Sequence, residues 1–312
     1  MTVLALLAAL ILEQVRPLND RSVLSKWMYS AIDGLEHVLN AGDHHHGVAA
    51  WWLITVPVLA AALLIYYLLA HISLALAWAA NVGVLYLTMG FRQFSHHFTH
   101  VQGALARGDV MEARRLLKAW RGRPTDDLNS GDVARLAIEE ALVASYRHVF
   151  GVMFWFVVLP GPTGAILYRL ALSLKGRWGE KLGPEHGRFG TFALEAAKWI
   201  DWVPLRLTAM AFAVVGNFED AVYCWRNQAG RWRDPEAGIV LAAGAGAIGV
   251  KLGNPVRQGF SHDGPALDER VEIGAGEDAD AGFLSSTVGL VWRALVLWML
   301  LLAMFEVATW VS

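Results

Sequence analysis

Residues 48–91 read VAAWWLITVPVLAAALLIYYLLAHISLALAWAANVGVLYLTMGF, 44 positions without an Asp, Glu, Lys or Arg. The nearest charges are Asp43 before the run and Arg92 after it. An α-helix rises about 1.5 Å per residue, so a bilayer core about 30 Å thick takes roughly 20 apolar residues. The run is long enough for two passes. His71, with Ser73 just beyond, is the natural joint, which predicts one transmembrane helix over Ala50–Ala70 and its return over Ile72–Phe91. A water-soluble helix of this length would need a charged face, and none is present. The run therefore predicts an all-α, polytopic integral membrane bundle whose first partner is the lipid bilayer.

Composition agrees. Hydrophobic residues make up 55% of the 312 positions, charged residues only 17%, and mean hydropathy is +0.39. That length suits one membrane domain, 1–312, with modest aqueous loops. A formal net charge of −2 argues against nucleic acid as a partner. The single cysteine, Cys224, excludes an intrachain disulfide framework.

Working outward, residues 1–13 form a short apolar segment that Glu13 ends, too short for an ordinary span and lacking the basic leader of a secretory signal. Residues 13–46 form a polar loop with one short helix. Residues 92–148 hold amphipathic helices, split at Arg107-Gly108-Asp109 and capped again at Ser130 or Asp132. Eight arginines between Arg92 and Arg147 place this loop in the cytoplasm by the positive-inside rule, in a bacterial inner membrane. Residues 149–174 are apolar but broken by Leu159-Pro160-Gly161-Pro162. A re-entrant hairpin and a proline-kinked crossing both fit that break. Residues 175–287 combine basic loops, short apolar pieces around Asp201–Gly216 and Ile239–Val250, and an acidic, Gly-rich stretch from Phe260 to Asp280 that reads as mobile. Residues 288–311 form a final span.

Few motifs carry chemistry outright. His96 and His100 stand at i,i+4 spacing, which suits a metal pair, but two ligands are short of the three or four a site needs. Gly244-Ala245-Gly246-Ala247-Ile248-Gly249 has the letters of a dinucleotide fingerprint without a strand before it, so close helix packing explains it better.

An ordered set of segments resembles a known family. Leu105–Leu117 followed by Gly122-Arg123-Pro124-Thr125, then Asp201-Trp202-Val203-Pro204-Leu205-Arg206-Leu207, then Pro235-Glu236-Ala237 with Ala243-Gly244-Ala245 and Gly249-Val250-Lys251-Leu252-Gly253, is similar to the CobD/CbiB membrane proteins. The resemblance implies cobalamin biosynthesis: ATP-dependent amide formation joining adenosylcobyric acid to aminopropanol or its phosphate, with ATP and Mg²⁺ if the chain is catalytic. The family's carboxylate-bearing segment before the central apolar stretch is here Val143-Ala144-Ser145-Tyr146-Arg147-His148, and its Gly-Arg-Asp-Thr has Pro124 for the Asp. That centre looks instead like AmpE, a related membrane protein tied to control of β-lactamase induction, in which an Asp-Trp-Val-Pro-x-Arg-Leu segment also recurs.

Three function classes follow: a corrinoid-synthesis protein, an AmpE-like regulator without turnover, and a small-molecule transporter using the broken helix. For a site, Glu236 and Asp201 are the candidate catalytic carboxylates, placed to hold a cation or an amine. Arg123, Arg206 and Lys251 are the candidate substrate-binding cations, suited to phosphate or to the carboxylate of a corrinoid or other anionic small molecule. The plainer alternative is that these charges pair with one another to fix helix packing.

Overall fold

A computed structural model describes residues 2–16, 22–40, 42–179, 181, 187–253, 256–261, 264–268 and 271–311. In chain order come α1 (Thr2–Val15), α2 (Ser22–Leu39), α3 (His44–Ile72), α4 (Leu74–Thr88), α5 (Phe91–Ala106), α6 (Val110–Arg121) and α7 (Ser130–Ser145). A π turn, Tyr146–Phe150, leads to α8 (Gly151–Val158) and α9 (Thr163–Leu174), and a second, Lys175–Gly179, precedes α10 (Thr191–Val215). Then follow α11 (Phe218–Gln228), α12 (Pro235–Ile248), the short strands β1 (Val250–Leu252), β2 (Val256–Ser261), β3 (Gly264–Asp268), β4 (Ile273–Gly274) and β5 (Glu277–Asp278), and α13 (Ala281–Val311). The chain divides into two compact units, residues 1–90 with 151–204, and residues 91–150 with 205–312. Among the described residues, three stretches are long and apolar enough to cross a membrane: His44–Ile72, Ser130–Val158 and Ala281–Thr309.

In the first unit, α3 and α4 pack together after a break at Ser73, whose N–H donates to the Leu69 carbonyl at 2.8 Å. Only 6% of the most apolar window of α3 is buried in protein, and Trp52, Leu53, Val56, Leu64 and Leu68 are exposed. A surface of that kind is stable against lipid tails and costly against water. The α1 helix runs past Glu13, which is buried, to Val15. At the central break the chain reverses instead of continuing through a kink. A Cβ on Gly164 would lie 1.8 Å from the Trp155 carbonyl oxygen, and one on Gly151 would meet the Tyr168 ring at 2.2 Å, so α8 and α9 are closely packed antiparallel neighbours. Helix α2 is fastened to the second π turn. The Arg177 guanidinium lies 3.0 Å from Asp33 and over the Tyr29 ring at 4.6 Å, and Lys181 reaches Glu36 at 2.6 Å.

The second unit is built on buried helices. Asp109 caps α6 by accepting the Glu112 N–H at 3.0 Å. The cap of α7 is Asn129, ahead of both expected positions, Ser130 and Asp132. Asn129 has extended backbone and accepts from Asp132 N at 2.7 Å, while Asp132 accepts from Asn129 N at 3.3 Å, a reciprocal box. Val133, Leu136, Ile138 and Leu142 bury α7 deeply, and α12 packs along it. The Ala/Gly sequence of α12 allows close approach: a Cβ on Gly246 would stand 2.5 Å from the Asp220 carbonyl oxygen in α11, and one on Gly244 2.8 Å from Leu142. Cys224 of α11 is buried. Helix α10 is one 25-residue helix with Pro204 inside it, longer than the apolar core of 201–216 suggests, and the chain passes between units at that proline.

Alternation too brief to stand out in the sequence produces two small sheets, one of three strands and one of two. β1 pairs antiparallel with β4 and parallel with β5, and β2 pairs antiparallel with β3. Gly274 has φ +101°, and a Cβ there would sit 2.1 Å from the Val250 carbonyl oxygen, so glycine permits the β1–β4 contact. Residues 273–280, read from sequence as part of a mobile stretch, thus include sheet strands; 262–263 and 269–270 lie outside the described residues.

Candidate functional site

Charged side chains gather in the second unit along α7, α12 and β1. On α7, Glu139 is almost fully buried, and its Oε1 accepts the Gly253 N–H at 3.0 Å, tying the helix to the end of β1. The adjacent Glu140 lies 3.6 Å from Arg121, whose side chain is largely buried. In the π turn that follows α7, Arg147 Nη2 stands 3.6 Å from Asp234 Oδ2. Asp234 also caps α12, accepting from Glu236 N at 3.0 Å and Ala237 N at 3.4 Å, with Pro235 at the first helical position where no N–H is needed. On β1, Lys251 is 3.7 Å from Glu272.

The arrangement is a set of loose ion pairs around one antiparallel helix pair. A nitrogen–oxygen distance near 3.6 Å is attractive but is not a short bidentate grip, and Arg147 and Asp234 both keep part of their surface open. The π turn that carries Arg147 interrupts the regular i→i+4 ladder, and turns of this kind are frequent at functional positions.

The sequence-predicted residues are not all assembled here. Glu236 sits half-buried in the first turn of α12, and Lys251 lies on β1, both within this unit. Arg206 is half-buried on α10 in the same unit. Arg123 is exposed in the segment after α6. Asp201 is buried, and it belongs to the first unit. Reasoning from sequence missed the Arg147–Asp234 pair, whose members lie far apart in the chain with no local pattern joining them.

On α5 the His96 and His100 rings are 4.2 Å apart between centroids and both side chains are exposed. His97 stacks on Trp120 at 6.1 Å. Its protonation is pushed below the ordinary histidine range by burial first and then by the charges of His96 and His100. Glu112 is engaged by Arg115 through two hydrogen bonds of 2.7 and 2.6 Å, which lower its pKa. Among the described residues, no three His, Cys, Asp or Glu side chains converge as a metal-binding group. Mg²⁺ takes carboxylate oxygen along with phosphates and water. Here Glu140, Asp234 and Glu272 each face a cation and Glu139 faces an N–H, so these residues do not fit a protein-built Mg²⁺ site.

Comparison with known proteins adds a second line. Residues 3–283 match the family described as CobD/Cbib protein. The chain is 38% identical over 227 residues to the cobalamin biosynthesis protein CobD of Stutzerimonas stutzeri, covering 73% of each chain. It is 39% identical over 217 residues to the protein of the same name from Chromobacterium violaceum, covering 70% of this chain and 67% of that one. The Mycobacterium tuberculosis protein of that name is 30% identical over 217 residues, 68% of this chain and 67% of its own length. No solved structure matches the chain.

Proposed function

Because the chain belongs to the CobD/CbiB protein family, we propose that it acts in cobalamin biosynthesis at the bacterial inner membrane, where its second unit holds an anionic corrinoid for amide-bond formation with aminopropanol or its phosphate. The observation that carries this reading is the partly exposed Arg147–Asp234 pair at the head of α12, where Asp234 directly precedes the Pro235-Glu236-Ala237 segment that resembles the family. Arg147 receives a side-chain carboxylate of the corrinoid, and Asp234, released from it, is free to attract an incoming ammonium. Lys251, beside Glu272, offers a second anion contact on β1. Arg206 and Arg123 are further cations for the substrate's periphery. Glu236 is the carboxylate nearest Asp234 in the chain and shares its task of orienting the amine. Asp201 is a buried residue of the first unit and is assigned no part in this site. The carboxylates of the second unit are committed to holding and orienting; the ATP and Mg²⁺ that the family's chemistry implies are given no ligands from them.

This orientation places the arginine-rich residues 92–148 and the amphipathic helices α5 and α6 in the cytoplasm, with the corrinoid entering from that side. The reading is tested in a bacterial strain lacking its own cobinamide-forming protein. Expression of this chain restores cobinamide, measured by mass spectrometry, and Arg147→Ala lowers it about 10- to 100-fold while membrane abundance stays unchanged. Absence of cobinamide with abundant wild-type protein in the membrane overturns it.

One observation favours a second reading, an AmpE-like regulator without turnover: positions 143–148 hold Val, Ala, Ser, Tyr, Arg and His where the synthases' pattern has carboxylates. In that case corrinoid is never joined to aminopropanol, and loss of the chain changes β-lactamase induction instead.

A further inference from the structure

Residue 204 of α10 is proline, so the helix lacks the N–H that would meet the carbonyl of Ile200 one turn back. A backbone carbonyl without a donor is costly away from water, and proline persists inside a packed helix where a neighbour supplies what is missing. Pro204 is buried. The donor comes from 45 residues earlier in the chain: the indole Nε1–H of Trp155, on α8, donates to the Ile200 carbonyl at 3.0 Å. Trp155 is itself firmly seated. Its own carbonyl accepts the Leu159 N–H at 3.1 Å, and a Cβ on Gly164 of α9 would stand 1.8 Å from that oxygen. The Phe154 ring meets the indole edge-on, 5.4 Å between centroids. All of these residues belong to the first unit.

The place of the proline gives this bond a consequence. The chain passes between the two units three times, after Gly90, after Phe150 and after Pro204. Each passage falls at an interruption of regular helix: the break between α4 and α5, the π turn Tyr146–Phe150, and the proline. Helices bend at such points, because a rung of the hydrogen-bond ladder is missing or displaced. At Pro204 the lost rung is replaced by a side chain from another helix. We propose that Trp155 latches this joint. Its indole stands in for the missing helical bond and stiffens α10 where the helix leaves the first unit; loss of the bond loosens the turn around Pro204 and leaves the rest of the fold in place. Trp155 acts through Ile200 and is a positioning group. The latch belongs to the fold and holds whichever ligand the second unit binds.

The test reads local opening. Full-length protein in detergent is moved into heavy water, and deuterium uptake is followed by mass spectrometry in peptides covering residues 201–208 and, for reference, α7. Trp155→Phe keeps an aromatic ring and removes the donor. Exchange at 201–208 is expected to quicken about three- to tenfold, the worth of one neutral hydrogen bond, with a smaller change in α7. In Pro204→Ala protein the new N–H takes the Ile200 carbonyl, so adding Trp155→Phe there should alter exchange less than about twofold. Benzothienylalanine at position 155 has the shape of tryptophan with sulfur in place of the N–H, and should match Trp155→Phe. It decides the matter alone if Pro204→Ala does not fold. Unchanged exchange in Trp155→Phe overturns the latch, as does equal quickening in α7. The same effect of Trp155→Phe with and without the proline also overturns it, as does a benzothienylalanine protein that exchanges like the unaltered chain.

Discussion

Helix α3 and the stretch from Ser130 to Val158 each span 29 residues, and each is apolar enough to cross a bilayer, but they live in opposite surroundings. Of the most apolar window of α3, 6% is buried inside the protein; for Ser130–Val158 the share is 61%. The residues explain the contrast. α3 carries no charge along its length and shows Leu, Val, Trp and Tyr to the outside. In α7, Asp132 and Arg135 pair at 2.5 Å, and Glu139 and Glu140 have an N–H and an arginine beside them. A charge in an apolar helix demands a partner close at hand, so charges there mark a protein-facing helix and their absence permits a lipid-facing one.

The contrast is open to direct attack by truncation. Leu136→Ala in α7 removes a fully buried side chain and should cost about 2–5 kcal/mol. Leu64→Ala in α3, which loses mainly contact with lipid, should stay within about 0.5 kcal/mol. Unfolding in mixed detergent micelles measures both, and equal losses would erase the distinction. Next in size is Gly246→Val: its new side chain meets the backbone of α11, and a loss of about 1–3 kcal/mol or more is expected in the same assay.

A finer cut separates partnership from burial within α7. Glu139→Ala leaves the Gly253 N–H without its acceptor and should cost about 1–3 kcal/mol, whereas Glu139→Gln retains a carbonyl oxygen and costs less. If the two variants are equally stable, the Glu139–Gly253 bond is not what holds β1 against α7. The smallest effect concerns pH. His97 has a depressed pKa in the fold, so the unfolded chain binds the proton more readily. Its contribution is fully present above about pH 6.5 and is lost as pH falls through the lower, folded value. Unfolding temperatures of His97→Phe between about pH 5 and 7 should therefore fall less steeply with acid than those of the unaltered chain.

Helical class and the apolar runs were legible because hydrophobic continuity is a local property that 20 or so residues display by themselves. Asp109 was readable as a cap for the same reason. The Asn129 cap was misplaced, to Ser130 or Asp132, because Asn, Ser and Asp all serve in that role and only backbone conformation decides among them. The sheet of β1, β4 and β5 escaped because two- and three-residue strands carry no period, and its pairing depends on glycines far apart in the chain. The candidate site was half legible. Glu236 and Lys251 fall in the same unit as the charged cluster, but Arg147 meets Asp234 only through the antiparallel packing of α7 and α12, which no local pattern announces.

The chain owns a single thiol, and it is sealed in α11, with burial and the charge of Asp220 both raising its pKa. Thiolate is the reactive form, so Cys224 is a poor target for alkylating reagents. The native polypeptide is in effect a blank background for single-site labelling. A cysteine installed at the exposed Arg123, or at Ser73 between the two hairpin helices, becomes the one modifiable handle. Membrane-impermeant maleimide then reports which side of the bilayer each faces, with no need to strip the natural residue first.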